Sequence, residues 1–416
     1  MRGKAQGYIL LEVMVVVAFL VALMGMLLAN QRASIQERQD NMRQQRAEMM
    51  ARSGIAYAFS TLNNTNTNTS LVTQTDDWYT LGQSGQEEFQ IGQDTFRIQI
   101  VDGGALMNIN SATEAQLQQL PLTQEQTDSL LDWREGGQTP RAEGGKDSYY
   151  NSLEQPYNAK LGSLSTLNEL LLIKGWTAKI LYTTQADMTS TQIQPEDALG
   201  NPLPLIGMLT VDSGAPNTRA DDSARVNFSQ QGLNQNTLAQ IGLNNQAVVA
   251  QLVARAPYTS FRALLGVPGI DATTAQTLLD GAGFGAATRL TGKININTAS
   301  EQVLRSVPNL TPDVATAIVG RQASGFRSLG ELSTVPGLSI TALAQVADSF
   351  TVGCDTWILR VYGESGGVGT AVEAVVSKVN NKMQILKWNR LNVSGIPAWW
   401  GWQQEILTTT QLGATQ

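Results

Sequence analysis

The sequence predicts an α+β fold in which a long N-terminal α-helix packs on a small antiparallel β-sheet that carries a large α-helical insertion. Three observations support this prediction. An apolar run fills positions 8–29 and contains a single charged residue, Glu12. A segment with apolar residues at every second position lies at 95–101, and further strand-like segments flank a glycine-rich turn within 356–391. A repeated pattern typical of short helices occupies the stretch between those two segments.

The first part of the chain reads as a leader at 1–7, a transmembrane helix at 8–29 and a continuation of that helix at 30–62. At about 1.5 Å per residue, the apolar run is long enough to cross a hydrocarbon core of about 30 Å. The basic residues Arg2 and Lys4 favour a cytoplasmic N-terminus. We therefore expect a single-pass protein of the inner membrane with its C-terminal domain in the periplasm.

Glu12 needs a physical reason, because a lone carboxylate inside a membrane helix costs on the order of 3 kcal/mol and such groups usually pair. The pattern of a short basic leader, Gly7, Tyr8 and then Glu12 resembles the N-terminus of type IV prepilin-like substrates. The resemblance implies that a prepilin peptidase cleaves after Gly7 and that Tyr8 is N-methylated. It also implies that Glu12 pairs with the new α-amino group of a neighbouring subunit. An ordinary signal anchor with an incidental glutamate is the alternative.

Beyond the membrane, the helix is expected to carry an apolar stripe through Ile35, Met42, Met49 and Ala56 that faces a globular domain. Ile55, Phe59 and Leu62 join this stripe later. The upper part, flanked by Arg38, Arg43, Arg46 and Arg52, could pack against other subunits or serve as a solvated spacer. The run from Asn63 to Ser70 is expected to end the helix as a loop.

The strand-like segments predict a β-domain in two parts, 63–101 and 351–391, with an insertion at 102–350 between them. The expected strands are Thr95–Val101, Thr356–Tyr362, Ala371–Val379 and Met383–Leu391. Residues 392–416 read as a C-terminal tail, of which Leu407–Gln416 is expected to be disordered. Trp399, Trp400 and Trp402 in this tail could contact a partner, close the sheet or cover the insertion.

The insertion contains an internal repeat, most clearly between the segments that start at Asn108 and Asn295. Three units are expected, at 102–186, 224–284 and 293–350. Asn110 and Asn297 read as helix starts that cap backbone amides. Capping boxes are expected at Thr166 with Glu169 and at Ser328 with Glu331. Four side chains are expected to point inward, namely Leu117, Leu120, Leu304 and Val307.

Helix, tight turn and helix in each unit resemble helix-hairpin-helix or SAM-like modules, many of which bind DNA. Such hairpins normally offer backbone amides through a Gly-apolar-Gly turn with basic residues nearby. The turns here lack the second glycine, and the charges of 293–350 balance. We therefore expect these helices to serve packing and expect no nucleic-acid partner, with a membrane-anchored DNA-binding protein as an alternative.

The composition excludes several kinds of catalytic and metal site. The chain of 416 residues has no histidine, which removes the usual general base and most zinc sites, and a net charge of −7. No paired carboxylates stand at a recognisable catalytic spacing, so we expect a protein that is not an enzyme. Cys354 is the only cysteine, which excludes an intramolecular disulfide and favours a buried apolar role.

The prepilin-like start, the pilin-like strands and the helical repeats together resemble the family of type II secretion system minor pseudopilin K, also called general secretion pathway protein K. The segment from Leu130 to Trp176 carries the closest motif, with its Pro-Arg, Gly-rich acidic loop and Tyr-Tyr pair. The resemblance implies a place at or near the tip of a periplasmic pseudopilus that supports export of folded proteins. The implied partners are the minor pseudopilins I and J and the major pseudopilin.

Glu12 departs from that family pattern, because members commonly lack a glutamate at the equivalent position. It leaves room for a position within the filament, or for a minor pilin of a type IV pilus or competence system. The resemblance also implies that the acidic loop can hold calcium. The candidate ligands are Asp132, Glu135, Glu143, Asp147 and Glu154, and a solvated acidic loop is the alternative.

Overall fold

The computed structural model describes residues 4–64, 68–184, 192–197, 199–380, 382–403 and 405–412. One helix, α1 (Lys4–Asn64), forms the N-terminal part and ends two residues beyond the predicted end at Leu62. Its composition favours this length, because good helix formers dominate and proline is absent from it. The 61 residues of α1 extend over about 90 Å.

The C-terminal part of α1 packs on the sheet through small and apolar residues. The buried positions are Ala47, Met50, Ala51, Gly54, Ile55, Ala58 and Leu62. The predicted stripe is wrong, because Ile35, Met42 and Met49 are 56%, 54% and 60% exposed and Ala56 is exposed as well. A seven-residue spacing drifts by about 20° per heptad around a straight helix. The small residues on the other face allow a closer contact with the sheet and decide which face is buried.

The sheet has six strands. They are β1 (Glu87–Ile91), β2 (Asp94–Asp102), β3 (Thr356–Ser365), β4 (Val368–Val379), β5 (Lys382–Arg390) and β6 (Thr408–Gln411). Their order is β5-β4-β3-β2-β1-β6, and all neighbours are antiparallel except β1 and β6. Phe96, Ile98 and Ile100 of β2 point toward α1 and are buried, as their spacing predicts.

Two strands were absent from the sequence-based prediction. The chain around β1 showed no clear apolar alternation, and β6 lies in the segment Leu407–Gln416 that was expected to be disordered. That expectation is wrong for Thr408–Gln411, which pairs in parallel with β1. The residues of β6 are mostly exposed, so the pairing with a free sheet edge, rather than burial of side chains, stabilises the strand.

The insertion runs from the end of β2 to the start of β3 and forms three helical units with one continuous apolar core. The first unit contains helices Glu114–Leu117, Gln124–Arg134, Asp147–Tyr150 and Ala178–Tyr182 and the 3₁₀ helix Leu167–Leu172. The second contains Gln235–Ala239, Gln246–Arg255, Phe261–Leu265 and Ala272–Gly281. The third contains Glu301–Arg305, Pro312–Gln322 and Ile340–Val346 and the 3₁₀ helix Leu329–Thr334.

A pair of two-residue parallel strands closes each unit on itself. The pairs are Met107–Asn108 with Leu209–Thr210, Val226–Asn227 with Ala282–Gly283, and Ile294–Asn295 with Phe350–Thr351. The first unit therefore extends past its predicted end at 186. Ala215–Pro216 pairs with Arg289–Leu290, and the remaining short elements are the helix Asp77–Thr80 and the 3₁₀ helices Leu81–Gly85, Gly103–Ala105, Leu205–Met208, Ala347–Ser349 and Ala398–Trp400.

Asn110 and Asn297 do not cap helices, contrary to the prediction. Each side chain instead bridges to the second half of its own unit, since Asn110 accepts from the Leu164 amide at 2.7 Å and Asn297 accepts from the Phe326 amide at 2.6 Å. The first helices of these units are capped three residues later, by Thr113 and Ser300.

The capping box at Thr166 and Glu169 is present, whereas Ser328 forms none and donates to Asp280. Leu117, Leu120, Leu304 and Val307 are buried as predicted.

Candidate assembly site

The N-terminal part of α1 is a candidate membrane anchor. From Leu10 onward it is long and apolar enough to cross a membrane, and none of its apolar window is buried in the protein. Gly7 and Tyr8 lie in the backbone of the first turns of α1, and Glu12 follows on the exposed helix surface. Cleavage after Gly7, methylation of Tyr8 and pairing of Glu12 stay predictions.

The exposed stripe of Ile35, Met42 and Met49 forms a second candidate surface on α1. Polar residues beside it are tied to each other along the helix, with Arg43 3.2 Å from Asp40 and Arg52 2.8 Å from Glu48. An apolar row bordered by such i,i+3 and i,i+4 pairs is typical of a face that packs on another helix. The stripe therefore faces away from its own domain and is available to a neighbouring helix.

The acidic loop after Gln124–Arg134 is organised by two basic side chains. Asp132 is 1% exposed, accepts from the Arg141 guanidinium at 2.9 Å and accepts from the Arg141 amide at 3.0 Å. The same guanidinium donates to Glu135 at 2.7 Å. Lys146 is buried and donates to the backbone carbonyls of Asp132 and Glu135. These contacts use the oxygens that a cation would need.

The other three calcium candidates lie apart from this pair. Asp147 accepts from the Ala159 amide at 2.8 Å and from Gln138 at 2.7 Å, while Glu143 and Glu154 are exposed. Within the described residues, no group of three or more His, Cys, Asp or Glu side chains is arranged to hold a metal ion. A hard cation needs several converging oxygens, so the five candidates do not fit a calcium site in this arrangement.

A buried polar junction joins the sheet to the third helical unit. Asp102, at the end of β2, accepts from Asn295 at 2.7 Å, from Thr298 at 2.5 Å and from the Gly104 amide at 2.6 Å. Burial raises the pKa of Asp102, and the hydrogen bonds that it accepts only partly offset this effect. Cys354 is buried beside it, as predicted, and burial raises the pKa of its thiol.

A second junction lies at the start of β3, where Arg289 forms a bidentate pair with Asp355 at 2.6 and 2.8 Å. Sequence reasoning missed both Asp102 and Arg289. Both carry a single charge outside any motif, so no local pattern marks them.

The tryptophans of the C-terminal segment close the outer face of the sheet, which is the face opposite α1. Trp400 is 3% exposed and donates to Glu373 at 2.7 Å, and Trp402 donates to Gln99 at 2.9 Å. Arg97 lies over the ring of Trp402 at 5.3 Å. Trp399 contacts Tyr182 of the first unit, with ring centroids 5.2 Å apart.

Two of the four basic residues of the third unit, Lys293 and Arg321, are engaged within the protein. Arg321 pairs with Glu331 and lies over the Phe326 ring at 4.5 Å, and Lys293 donates to the Asp348 carbonyl. Burial lowers the pKa of Lys293. A phosphate-binding face needs free basic side chains, so this arrangement favours packing over binding of DNA.

Known proteins show similarity to two parts of the insertion. Residues 105–185 match the family model for protein K of the type II secretion system (T2SS), and residues 291–351 match the model of the helix-hairpin-helix motif. The first match contains the acidic loop, and the second covers the third unit. The sequence-based resemblance to protein K and the helix-hairpin-helix prediction are thereby confirmed.

The fold as a whole resembles a chain in the crystal structure of the GspK-GspI-GspJ complex from the type II secretion system of enterotoxigenic Escherichia coli. The TM-score is 0.51 at 13% identity, and the match covers 87% of this chain and 100% of that chain. This likeness shows the fold and confirms the predicted pilin-like α+β architecture with a helical insertion. No curated protein sequence matches the chain.

Proposed function

The chain carries a protein K domain of the type II secretion system, and from this premise we propose that it is a minor pseudopilin at or near the tip of a periplasmic pseudopilus. In this proposal α1 anchors the unassembled subunit in the inner membrane, with the globular part in the periplasm. A prepilin peptidase removes residues 1–7, and α1 then packs into the filament. The protein serves assembly and secretion and has no catalytic role of its own.

The observation that carries the proposal is where the protein K match lies in the fold. Residues 105–185 belong to an insertion between β2 and β3 of a sheet that packs on an N-terminal helix. The insertion lies between Asp102, the last residue of β2, and Thr356, the first residue of β3, and is much larger than the six-stranded sheet that carries it. An insertion of this size, next to the C-terminal end of α1, would obstruct the addition of another subunit beyond that end of the helix. This supports a place at the tip of the filament.

Processing is tested with Gly7→Ala in cells that depend on this protein for secretion. Mass spectrometry should show the wild-type chain without residues 1–7 and with one added methyl group, while the variant keeps its leader and secretion falls. Gly25→Ala makes the same change inside the apolar run, where an added Cβ meets no atom within 4 Å, and should leave both unchanged. A functional wild-type protein that retains Met1 contradicts the proposal.

Assembly is tested by co-purification of the full chain with candidate minor pseudopilins of the I and J type. We expect a stable complex that survives replacement of the exposed Ile35 by Ala less well than replacement of the nearby polar Gln36. The Glu12→Ala variant distinguishes a subunit at the tip of the filament from one within it. A tip subunit tolerates this change, whereas a subunit within the filament loses incorporation.

DNA binding is the second candidate, because the third unit matches the helix-hairpin-helix model. A mobility-shift assay with the full chain and duplex DNA at low salt tests it. We expect no shift of the DNA band at protein concentrations below about 1 μM, where non-specific binding to DNA is weak. A shift that Arg327→Gln weakens would favour the alternative, since Arg327 is an exposed basic residue of this unit.

A further inference from the structure

A cleft of about 620 Å³ lies between the first helical unit and the outer face of the sheet. Its walls are mainly apolar and are formed by residues of both the first helical unit and the sheet. They include Leu106, Leu171, Ile206, Ile358, Val375 and Trp399. The volume lies within the range of about 300 to 1,000 Å³ that is typical of ligand sites.

The floor of the cleft holds a buried cation with an unused donor. Arg360 is 6% exposed, and its Nε makes no hydrogen bond although Glu373 Oε1 lies 3.4 Å away. Glu373 already accepts from Trp400 at 2.7 Å. The other acid of the cleft, Asp212, is paired with Lys387. Arg360 is therefore ion-paired with Glu373 and donates its Nη1 to Gln99 at 3.4 Å, but its buried Nε lacks a hydrogen bond, which costs free energy.

The mouth of the cleft is formed by a free strand edge. Within the described part of the chain, β5 pairs only with β4, so the backbone groups along its other edge are open to a further strand. Asn389 and Arg390, at the end of β5, line the cleft. An extended peptide can add to such an edge and place alternate side chains in the adjoining cavity.

We propose that this cleft binds an extended segment of another protein that carries a carboxylate next to large apolar side chains. The carboxylate pairs with Arg360, and the apolar side chains lie between Leu171 and Trp399. The open strand edge favours a peptide over a small amphiphile, because only a peptide supplies backbone groups that match it. The cleft lining carries three basic side chains, Arg360, Lys387 and Arg390, and two acidic ones, Asp212 and Glu373, and this excess of positive charge favours an acidic segment over a basic one.

The test uses the full chain in lipid nanodiscs and a fluorescein-labelled synthetic peptide of alternating Leu, Phe and Glu, followed by fluorescence anisotropy. Binding to empty nanodiscs is subtracted. Leu171→Glu should weaken binding by about tenfold or more, because it places a charge on the apolar wall. Leu172→Glu is the matched control, since Leu172 is 49% exposed and is absent from the cleft lining, and it should bind within about twofold of wild type.

A second pair of measurements isolates the carboxylate. Replacing Glu by Gln in the peptide should weaken binding to wild type by about tenfold, the effect of one charge-assisted hydrogen bond. Arg360→Gln should bind both peptides equally. No saturable binding above empty nanodiscs, or equal effects of the Leu171 and Leu172 variants, would overturn the proposal. Displacement of the peptide by laurate at lower concentration than by unlabelled peptide would overturn the choice of a peptide.

Discussion

Asn297 should be among the most costly polar residues to replace in the third helical unit. Its side chain is fully buried, accepts from the Phe326 amide at 2.6 Å and donates to the Phe326 carbonyl at 3.0 Å. Phe326 is itself buried. Asn297→Ala therefore leaves one buried N–H and one buried C=O without partners, in a place that water does not reach.

Each orphaned group costs about 1 to 3 kcal/mol, so we expect the free energy of unfolding to fall by about 3 kcal/mol. Asn110 makes the same two bonds, to the Leu164 amide at 2.7 Å and the Leu164 carbonyl at 2.9 Å, but is only partly buried. Water can replace part of what Asn110→Ala removes, and the expected loss is about 1 kcal/mol. The exposed Asn236 is the matched control, and its replacement by Ala should stay within about 0.5 kcal/mol.

The assay is pulse proteolysis of the full chain across a urea series, with trypsin sites at Arg305, Arg321 and Arg327 reporting on the third unit. Equal stability of the Asn297 and Asn236 variants would refute the reasoning. Asn297→Asp adds an independent check. At neutral pH its carboxylate faces the Phe326 carbonyl without a donor, and burial raises its pKa. Its deficit should therefore shrink as the pH falls and a proton restores the donor.

Three further predictions concern the contacts that hold the domain together. Gly363→Ala should lower the free energy of unfolding by about 1 to 3 kcal/mol in the same assay, because the new Cβ would clash with the Ala47 carbonyl of α1. The control is Gly320→Ala within a helix, where the new Cβ meets no atom within 4 Å, and it should not lower stability. Equal effects of the two variants would contradict the close approach of Gly363 to α1. Arg141→Ala should lower stability by about 2 kcal/mol by leaving Asp132 buried and unpaired, and Asp132→Asn in the same chain should recover part of the loss if the pairing is the cause. Burial raises the pKa of Asp102, so its contribution to the free energy of unfolding is fully present below the unfolded pKa of about 4 and is lost as the pH rises through the folded pKa. Lowering the pH from 7 to 4 should therefore stabilise the wild type relative to Asp102→Asn. Urea unfolding followed by tryptophan fluorescence at the two pH values measures this difference.

Alternation of apolar and polar side chains predicts strand β2 correctly. Phe96, Ile98 and Ile100 show this in β2, and each lies in the core beneath α1. β1 could not be found in this way because it buries only one large side chain, Phe89, and β6 could not because pairing with the edge of β1, not a buried face, stabilises it. The same limit applies to α1, where apolar spacing alone favoured Met42 and Met49, but the close approach of Gly54 to Val361 selects the opposite face.

The repeat was visible in the sequence, but the role of its most regular residues was not. Asn110 and Asn297 stand just before helices, where local rules predict caps. Their real partners lie 54 and 29 positions later in the chain. The acidic loop shows the same limit, because composition records its carboxylates but not that Arg141 folds back onto them and that Lys146 donates to the backbone carbonyls beside them.

The three units differ most where their halves are joined, and this difference identifies the part of the insertion that sets the first unit apart. The N-cap positions of the third segments are Thr166, Ser260 and Ser328. They follow the N-cap positions of the second segments, Thr123, Asn245 and Thr311, by 43, 15 and 17 residues. The extra chain in the first unit is the acidic loop, which ends at Ser165.

The Ser165 carbonyl accepts from Lys387 of β5 at 2.7 Å, so this loop leads directly to the sheet edge and the cleft. Packing alone would not require the loop, because the other two units bury their cores without one. The loop also lies within the protein K match, at residues 105–185. A role that distinguishes the first unit from its two copies is therefore best sought through changes in this loop and at β5, with the corresponding short connections of the second and third units as internal controls.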